Sequence, residues 1–234
     1  MGEGLELEGH TSRSFDAELS VLQLRVIEAG SAAARLVAEA ASAYVRWDGE
    51  LARQVVEARE RVAAAVQAIE DDSLSLIARR QPVAADLRAI RALSRIAWEC
   101  ERAASAAARV AVAVVGQPGV AAQRPGPATA RDVRQIAWLA HEMLEQALRA
   151  LDRLDPQQAG VVVGRDAELD REFAAGLRRL ISRAMEDSRL ISVALDSAFV
   201  LKSFERIGDH ARNVSSLVIG LSPPARQARH VDRG

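Results

Sequence analysis

The stretch FERIGDHARNV, Phe204 to Val214, sets the register of the whole chain, because its Glu205-Arg206 pair has an earlier copy in Glu101-Arg102, 104 residues before it. The same offset places Pro82 beside Glu186, each where a new amphipathic segment begins. One register covering both marks points to an internal repeat. The stretch also raises a question of cost. Glu205, Asp209 and Asn213 fall at four-residue intervals on one helical face, and Gly208 sits in the helix interior. Like charges at i, i+4 repel by roughly 0.2–0.5 kcal/mol and an interior Gly costs about 1 kcal/mol relative to Ala. Something must offset both.

Working outward from this stretch, apolar residues recur at three-four spacing, the seam of amphipathic helices. Phe15, Leu19, Leu22, Val26, Ala29, Ala33, Leu36, Ala40 and Tyr44 mark a first long helix, interrupted at RWDGE. Leu51, Val55, Ala58, Val62, Ala65 and Ile69 mark a second, which ends before RRQPVAADLR; Pro82 suits the first turn of a third helix running to about Val115. GQPGVAAQRPGPAT, Gly116 to Thr129, gathers Gly and Pro between periodic segments and reads as a linker. Three more helices follow, from about Ala130 to Leu154, past LDPQQ to about Met185, and from about Asp187 to Leu221, before a polar tail, SPPARQARHVDRG. The expected fold is all-α, two tandem antiparallel three-helix bundles related by an internal repeat: residues 1–115, a linker at 116–128, residues 129–221, and a flexible tail at 222–234.

Composition supports this and removes several function classes. Hydrophobic residues make up 49% of 234 and aromatics only 3%, a helix-rich balance that can supply a core. All basic residues but Lys202 are Arg, and Ala is abundant throughout, so single Ala or Arg positions carry little weight. Thirty-one basic and thirty-two acidic side chains leave a formal charge of −1, with no global drive toward nucleic acid or anionic lipid. The lone Cys100 can form no internal disulfide, and MGEGLELEGHTSR lacks the charged start and apolar core of a signal peptide, so a cytoplasmic location is expected. The apolar run near Val110 to Val115 is far short of the roughly 20 residues that span a bilayer. Membrane association is therefore expected only through partners.

Beside the seam of the last helix (Val200, Phe204, Ile207, Ala211, Val214, Val218) runs the line Glu205, Asp209, Asn213. The preceding helix offers Asp166 and Asp170, again i, i+4, next to the packing positions Leu169, Phe173 and Leu180. Antiparallel neighbours can bring these stripes face to face, and an oxygen-rich set of this kind suits hard cations. A bound cation would remove the like-charge penalty. The spacing equally admits a solvated face salt-bridged by Arg206 and Arg212, with Gly208 serving only a close helix crossing.

Taken together, ERIGDHARNV, RRQPVAADLR and MEDSRLISVAL resemble the PhoU family of phosphate-signalling regulators, over a span from about Phe15 to Leu221. The resemblance implies two three-helix bundles that bind metal ions or multinuclear clusters through acidic motifs on the second and third helix of each. Carried over to this chain, the motif names Asp166, Asp170, Glu205, Asp209 and Asn213 as metal ligands, for Mg, Mn, Fe or Zn. The first half departs from the pattern. Ala104-Ser105 stands for Gly-Asp, Arg109 for the Asn, and Arg59 and Ala63 fall where the acids of the second helix belong, leaving only Glu101. The N-terminal bundle is thus expected to have lost its site, with an Arg supplying cationic charge there by pairing with the remaining carboxylate. The resemblance further implies a non-enzymatic adaptor, often a homodimer, that contacts the sensor kinase PhoR and the ATPase PstB of the phosphate ABC transporter and represses the phosphate-starvation response.

Two alternatives remain at this level: an adaptor for another transporter or regulator, and a carboxylate-bridged di-metal enzyme, although the Glu-x-x-His of such sites is missing. Cys100, between Glu99 and Glu101, reads as buried and inert. His141 could face the C-terminal site, while His10 and His230 lie in the tails. No P-loop, Rossmann glycine pattern or nucleophile elbow occurs.

Overall fold

The computed structural model describes residues 4–116 and 124–221, with side chains from Phe15 onward. Six long helices account for nearly all of it: α1 (Gly4–Arg46), α2 (Gly49–Arg80), α3 (Ala84–Val115), α4 (Pro127–Arg153), α5 (Pro156–Glu186) and α6 (Ile191–Leu221), with a 3₁₀ turn at Ser188–Leu190 before α6. No strand occurs among the described residues. The fold class is the one expected. Most of the linker and the tail, residues 117–123 and 222–234, lie outside the described residues, and α4 begins two residues inside the segment read as linker.

Helix ends follow local chemistry. Asp48 caps α2 by accepting from the Glu50 and Leu51 amides, and Asp155 caps α5 from Gln157 and Gln158, with Pro156 in the first turn where its missing N–H costs nothing. Gln81 and Leu154 end α2 and α4 in the left-handed region, φ 44° and 48°. Pro82 does not enter the first turn of α3. Val83 stays extended as the N-cap and the helix starts at Ala84, so the proline serves to keep Gln81 out of a continued helix.

Within each half the three helices pack on one another; between halves, α3 packs on α6 and α1 on α4. The two bundles therefore share one continuous core. Helix α3 is covered by α1, α2 and α6, which is why so many of its positions are buried, and why Ala103, Ala104, Ala106, Ala107 and Ala111 fill the narrow spaces there. The predicted seam of α6 holds throughout, with Val200, Phe204, Ile207, Ala211, Val214 and Val218 all buried. Tyr44 of α1 and Ser197 of α6 share a buried 2.9 Å hydrogen bond that ties the halves together.

Candidate functional site

The face between α5 and α6 is built around Gly208. A Cβ placed there would lie 1.9 Å from Leu169 Cδ2, so the glycine leaves room for the buried Leu169 in its present conformation against α6. Gly176 against Leu201, and Lys202 5.4 Å from the centre of the Phe173 ring, complete an antiparallel register. In that register the Asp166–Asp170 stripe runs beside the stripe Glu205–Asp209.

Asp166, Asp170 and Asp209 share one electrostatic environment, with Arg212 between them: its Nε lies 3.4 Å from Asp166 Oδ2 and its Nη2 4.0 Å from Asp209 Oδ1. Burial raises the Asp166 carboxyl above its ordinary value; the Arg212 charge opposes this, and Asp170 and Asp209 reinforce it. The charged form of Asp166 is therefore disfavoured by folding, a penalty present above the raised value and absent below the ordinary one. Asp166→Asn is expected to raise Tm near pH 7 and to leave it unchanged near about pH 3, a difference that thermal melts at the two values would read. A fall at neutral pH would contradict it.

Glu205 sits one turn further along, largely buried. Its Oε1 accepts a 2.6 Å hydrogen bond from Lys202, while its Oε2 is buried with no hydrogen-bond partner among the described residues. An unpartnered buried carboxylate oxygen is costly and marks unfinished coordination or hydrogen bonding. Four carboxylates on this face thus meet two cationic side chains, Lys202 and Arg212. As they stand, no three His, Cys, Asp or Glu among the described residues are grouped closely enough to hold a metal ion. The donor chemistry and the excess of negative charge fit a hard cation, and Arg212 stands in its way.

Asn213 lies apart from this set. Its amide donates to Glu99 Oε2 of α3 at 3.2 Å, and His210 Nδ1 shares the same oxygen at 2.8 Å. Burial pushes the Glu99 carboxyl up, but the bonds to His210 and Asn213 and the charges of His210 and Arg102 outweigh it, and the net shift is downward. Glu99 therefore adds stability above the ordinary carboxylate value, lost as pH falls through the lowered one. This clasp between the halves was not legible in the sequence, where Glu99 has only Ser203 as its repeat counterpart.

In the first bundle Arg59 occupies the expected place. Its Nη2 donates to Glu101 Oε1 at 2.8 Å and its Nε to Ser105 Oγ at 3.0 Å, and Ser105 Oγ donates to the same carboxylate oxygen at 2.7 Å. A guanidinium fixed to the remaining acid sets a cationic charge against that carboxylate. His141 is remote from the α5–α6 face: it pairs with Glu145 at 3.8 Å and lines a groove of about 400 Å³ between α1 and α4 with Arg46, Arg134 and Trp138. Cys100 is fully buried and its thiol is pushed up to about 12, chiefly by burial, which suits a packing residue.

Two three-helix bundles, packed on each other through α3 against α6 and α1 against α4, define a class of all-α tandem-bundle proteins. Within that class the PhoU domain matches residues 26–114 and 133–218, one copy in each bundle. The chain belongs to the PhoU family. It is 35% identical to a phosphate-specific transport system accessory protein PhoU homolog of Pseudomonas putida, over 92% of this chain and 83% of that one. The homolog from Pseudomonas aeruginosa is also 35% identical, over 92% and 88%. The crystal structure of PhoU from Pseudomonas aeruginosa superposes with a TM-score of 0.81 at 34% identity, covering 88% of this chain and 98% of that chain. The phosphate transport system regulatory protein PhoU from Streptococcus pneumoniae, 22% identical, has the same fold at a TM-score of 0.78, over 88% and 96%. The chain is thus a PhoU-family accessory protein of phosphate transport, and no helix among its described residues is long and apolar enough to cross a membrane.

Proposed function

We propose that this protein regulates phosphate uptake and phosphate signalling as a cytoplasmic adaptor. It links the ATPase PstB of the phosphate ABC transporter to the sensor kinase PhoR, and it represses the starvation response when phosphate is plentiful. It works as a homodimer, reaches the membrane only through its partners and does not act on nucleic acid. The observation that carries this reading is the PhoU match in both bundles, together with relatives named as accessory proteins of phosphate-specific transport. The balanced charge of −1 agrees with a protein-binding role.

The second bundle alone carries the metal. Asp166, Asp170, Glu205 and Asp209 would hold Mg, Mn, Fe or Zn, singly or as a cluster, and the ion would pin α5 to α6 by charge. Asn213 is engaged with Glu99 and joins only if that bond is released. Arg212 is the side chain that must yield, so it sets the affinity.

Deleting the gene should switch on phosphate-starvation genes in high phosphate, with restoration by the wild-type gene. Genes that stay repressed would point to another transporter or regulator. In the purified protein, titration calorimetry with Mn²⁺ should show binding that Asp209→Asn weakens, Ser105→Ala leaves unchanged and Arg212→Gln strengthens by about tenfold, a change of about 1.4 kcal/mol. Equal loss in the Asp209 and Ser105 variants would sink the assignment to the second bundle.

A further inference from the structure

The offset of 104 residues exchanges α3 with α6, and these two helices pack on each other along the boundary between the halves. They run antiparallel, since Glu99 of α3 meets His210 and Asn213 of α6, while Arg109, further along α3, feels the charge of Arg206, earlier in α6. In such a pair each contact has an image, found by exchanging the helices at the same offset. The clasp around Glu99 has an image of this kind, and its centre is missing. Glu99 maps on Ser203, His210 on Ala106, Asn213 on Arg109 and Arg102 on Arg206. In the clasp the Glu99 carboxylate is held by Asn213, His210 and Arg102. In the image no carboxylate is present. Ser203 is short and neutral, only 8% exposed, and its hydroxyl donates to the Phe199 carbonyl at 2.9 Å. Ala106 leaves free the space that the imidazole fills on the other side, and the amide of the clasp has become a guanidinium.

Neither arginine has found another acid. Arg109 and Arg206 are both exposed, and neither makes a hydrogen bond or an ion pair among the described residues. The acids around them are engaged elsewhere: Glu101 with Arg59 and Ser105, Glu205 with Lys202, and Asp209 with Arg212. Burial and the Arg206 charge push the Arg109 guanidinium down from its ordinary value, and Glu101 opposes this less strongly. Two like charges gathered where the repeat elsewhere holds an anion raise the local concentration of anions from solution.

We propose that Arg109 and Arg206, beside Ser203 and Ala106, form a binding site for a small tetrahedral oxyanion of the inorganic phosphate class. Two guanidinium forks on different helices suit a doubly charged group with an oxygen pair for each. A lone carboxylate is saturated by one fork. The bound anion takes the place that the Glu99 carboxylate holds in the clasp, and fastens α3 to α6 at the other end of their contact. The site lies between the halves, apart from the α5–α6 face, and it goes beyond the adaptor reading without depending on it.

The test is titration calorimetry on the full chain, stripped of metal on a chelating resin, at low ionic strength and about pH 8, where phosphate is a dianion. Inorganic phosphate should bind with a Kd of about 1 mM or tighter, and acetate at least about tenfold more weakly. Arg109→Gln and Arg206→Gln should each weaken phosphate at least about tenfold. Arg91→Gln, at an exposed arginine about 27 Å along α3 from Arg109, should leave it unchanged. Ser203→Glu supplies the missing carboxylate from within the chain, so it should abolish phosphate binding and raise Tm. That rise should vanish when both arginines are Gln. Circular dichroism establishes that each variant is folded, and the arginine variants decide alone if Ser203→Glu is not. Phosphate that fails to bind the wild type, or that binds both arginine variants as tightly, overturns the site. Acetate bound as tightly as phosphate overturns the oxyanion class, including the case in which the pair meets an acidic side chain of a partner protein. None of these outcomes bears on the phosphate-regulator reading, which the deletion strain tests separately.

Discussion

Arg59→Met is expected to destabilise the protein by about 3 kcal/mol, near the lower end of the 3–5 kcal/mol lost when one partner of a buried ion pair is removed. For a chain of this size that corresponds to a fall in Tm of about 6–12 °C. The reason lies in which partner remains. Glu101 is 11% exposed at its side chain and Arg59 32%, so removing the arginine leaves a buried carboxylate that keeps the hydrogen bond from Ser105. Glu101→Leu in the Arg59→Met background should recover most of the loss, because a well-packed apolar pair replaces a half-emptied polar one. Thermal melts of the two singles and the double at neutral pH would decide it. Additive losses in the double variant would mean that the two side chains are not coupled.

Gly208→Leu should cost still more, about 4 kcal/mol or beyond. Even the Cβ overlaps Leu169 Cδ2 at 1.9 Å, and Leu169 is buried and cannot swing into solvent. Gly208→Ala isolates the effect. Helix propensity favours Ala by about 1 kcal/mol, yet the overlap costs roughly 1–3, so the net change is expected to be destabilising. Leu169→Ala should then be less harmful in the Gly208→Ala background than in the wild type, since the added methyl occupies part of the cavity. Denaturant titrations of the four proteins give the coupling directly. A Gly208→Ala protein more stable than wild type would show that Leu169 yields easily and that the glycine has another cause. The repeat supplies a natural contrast: Ala104 stands at the corresponding place in α3, fully buried.

The six helices were legible because each buries one face, and burial of a face writes a 3.6-residue period into the sequence. The seam of α6 is the clearest instance, from Val200 to Val218. Boundaries were legible where a cap or a proline acts locally, as at Asp48 and Asp155, and less so at Pro82, where the extended Val83 delays the helix. Arg59 could be anticipated because it stands where the family's pattern has the first acid of the second helix, and a guanidinium near a remaining acid can pair with it. Arg212 could not be weighed in the same way. Its spacing to Asp209 suggested a surface pair, whereas its contact with Asp166 depends on how α5 lies against α6.

Local sequence by itself determined the helices, their order, the repeat and the two acidic stripes, because these depend on interactions within a few residues or on periodic burial. Tertiary structure alone decided how the stripes are shared out. Packing of α3 on α6 turned Asn213 and His210 toward Glu99, while packing of α5 on α6 left Asp166, Asp170 and Asp209 facing Arg212. Residues four apart on a helix drift around it by about 40°, and over eight residues the stripe that begins at Glu205 passes from one neighbour to the next. Which neighbour each side chain meets is a property of the helix crossings, and no single helix carries that information.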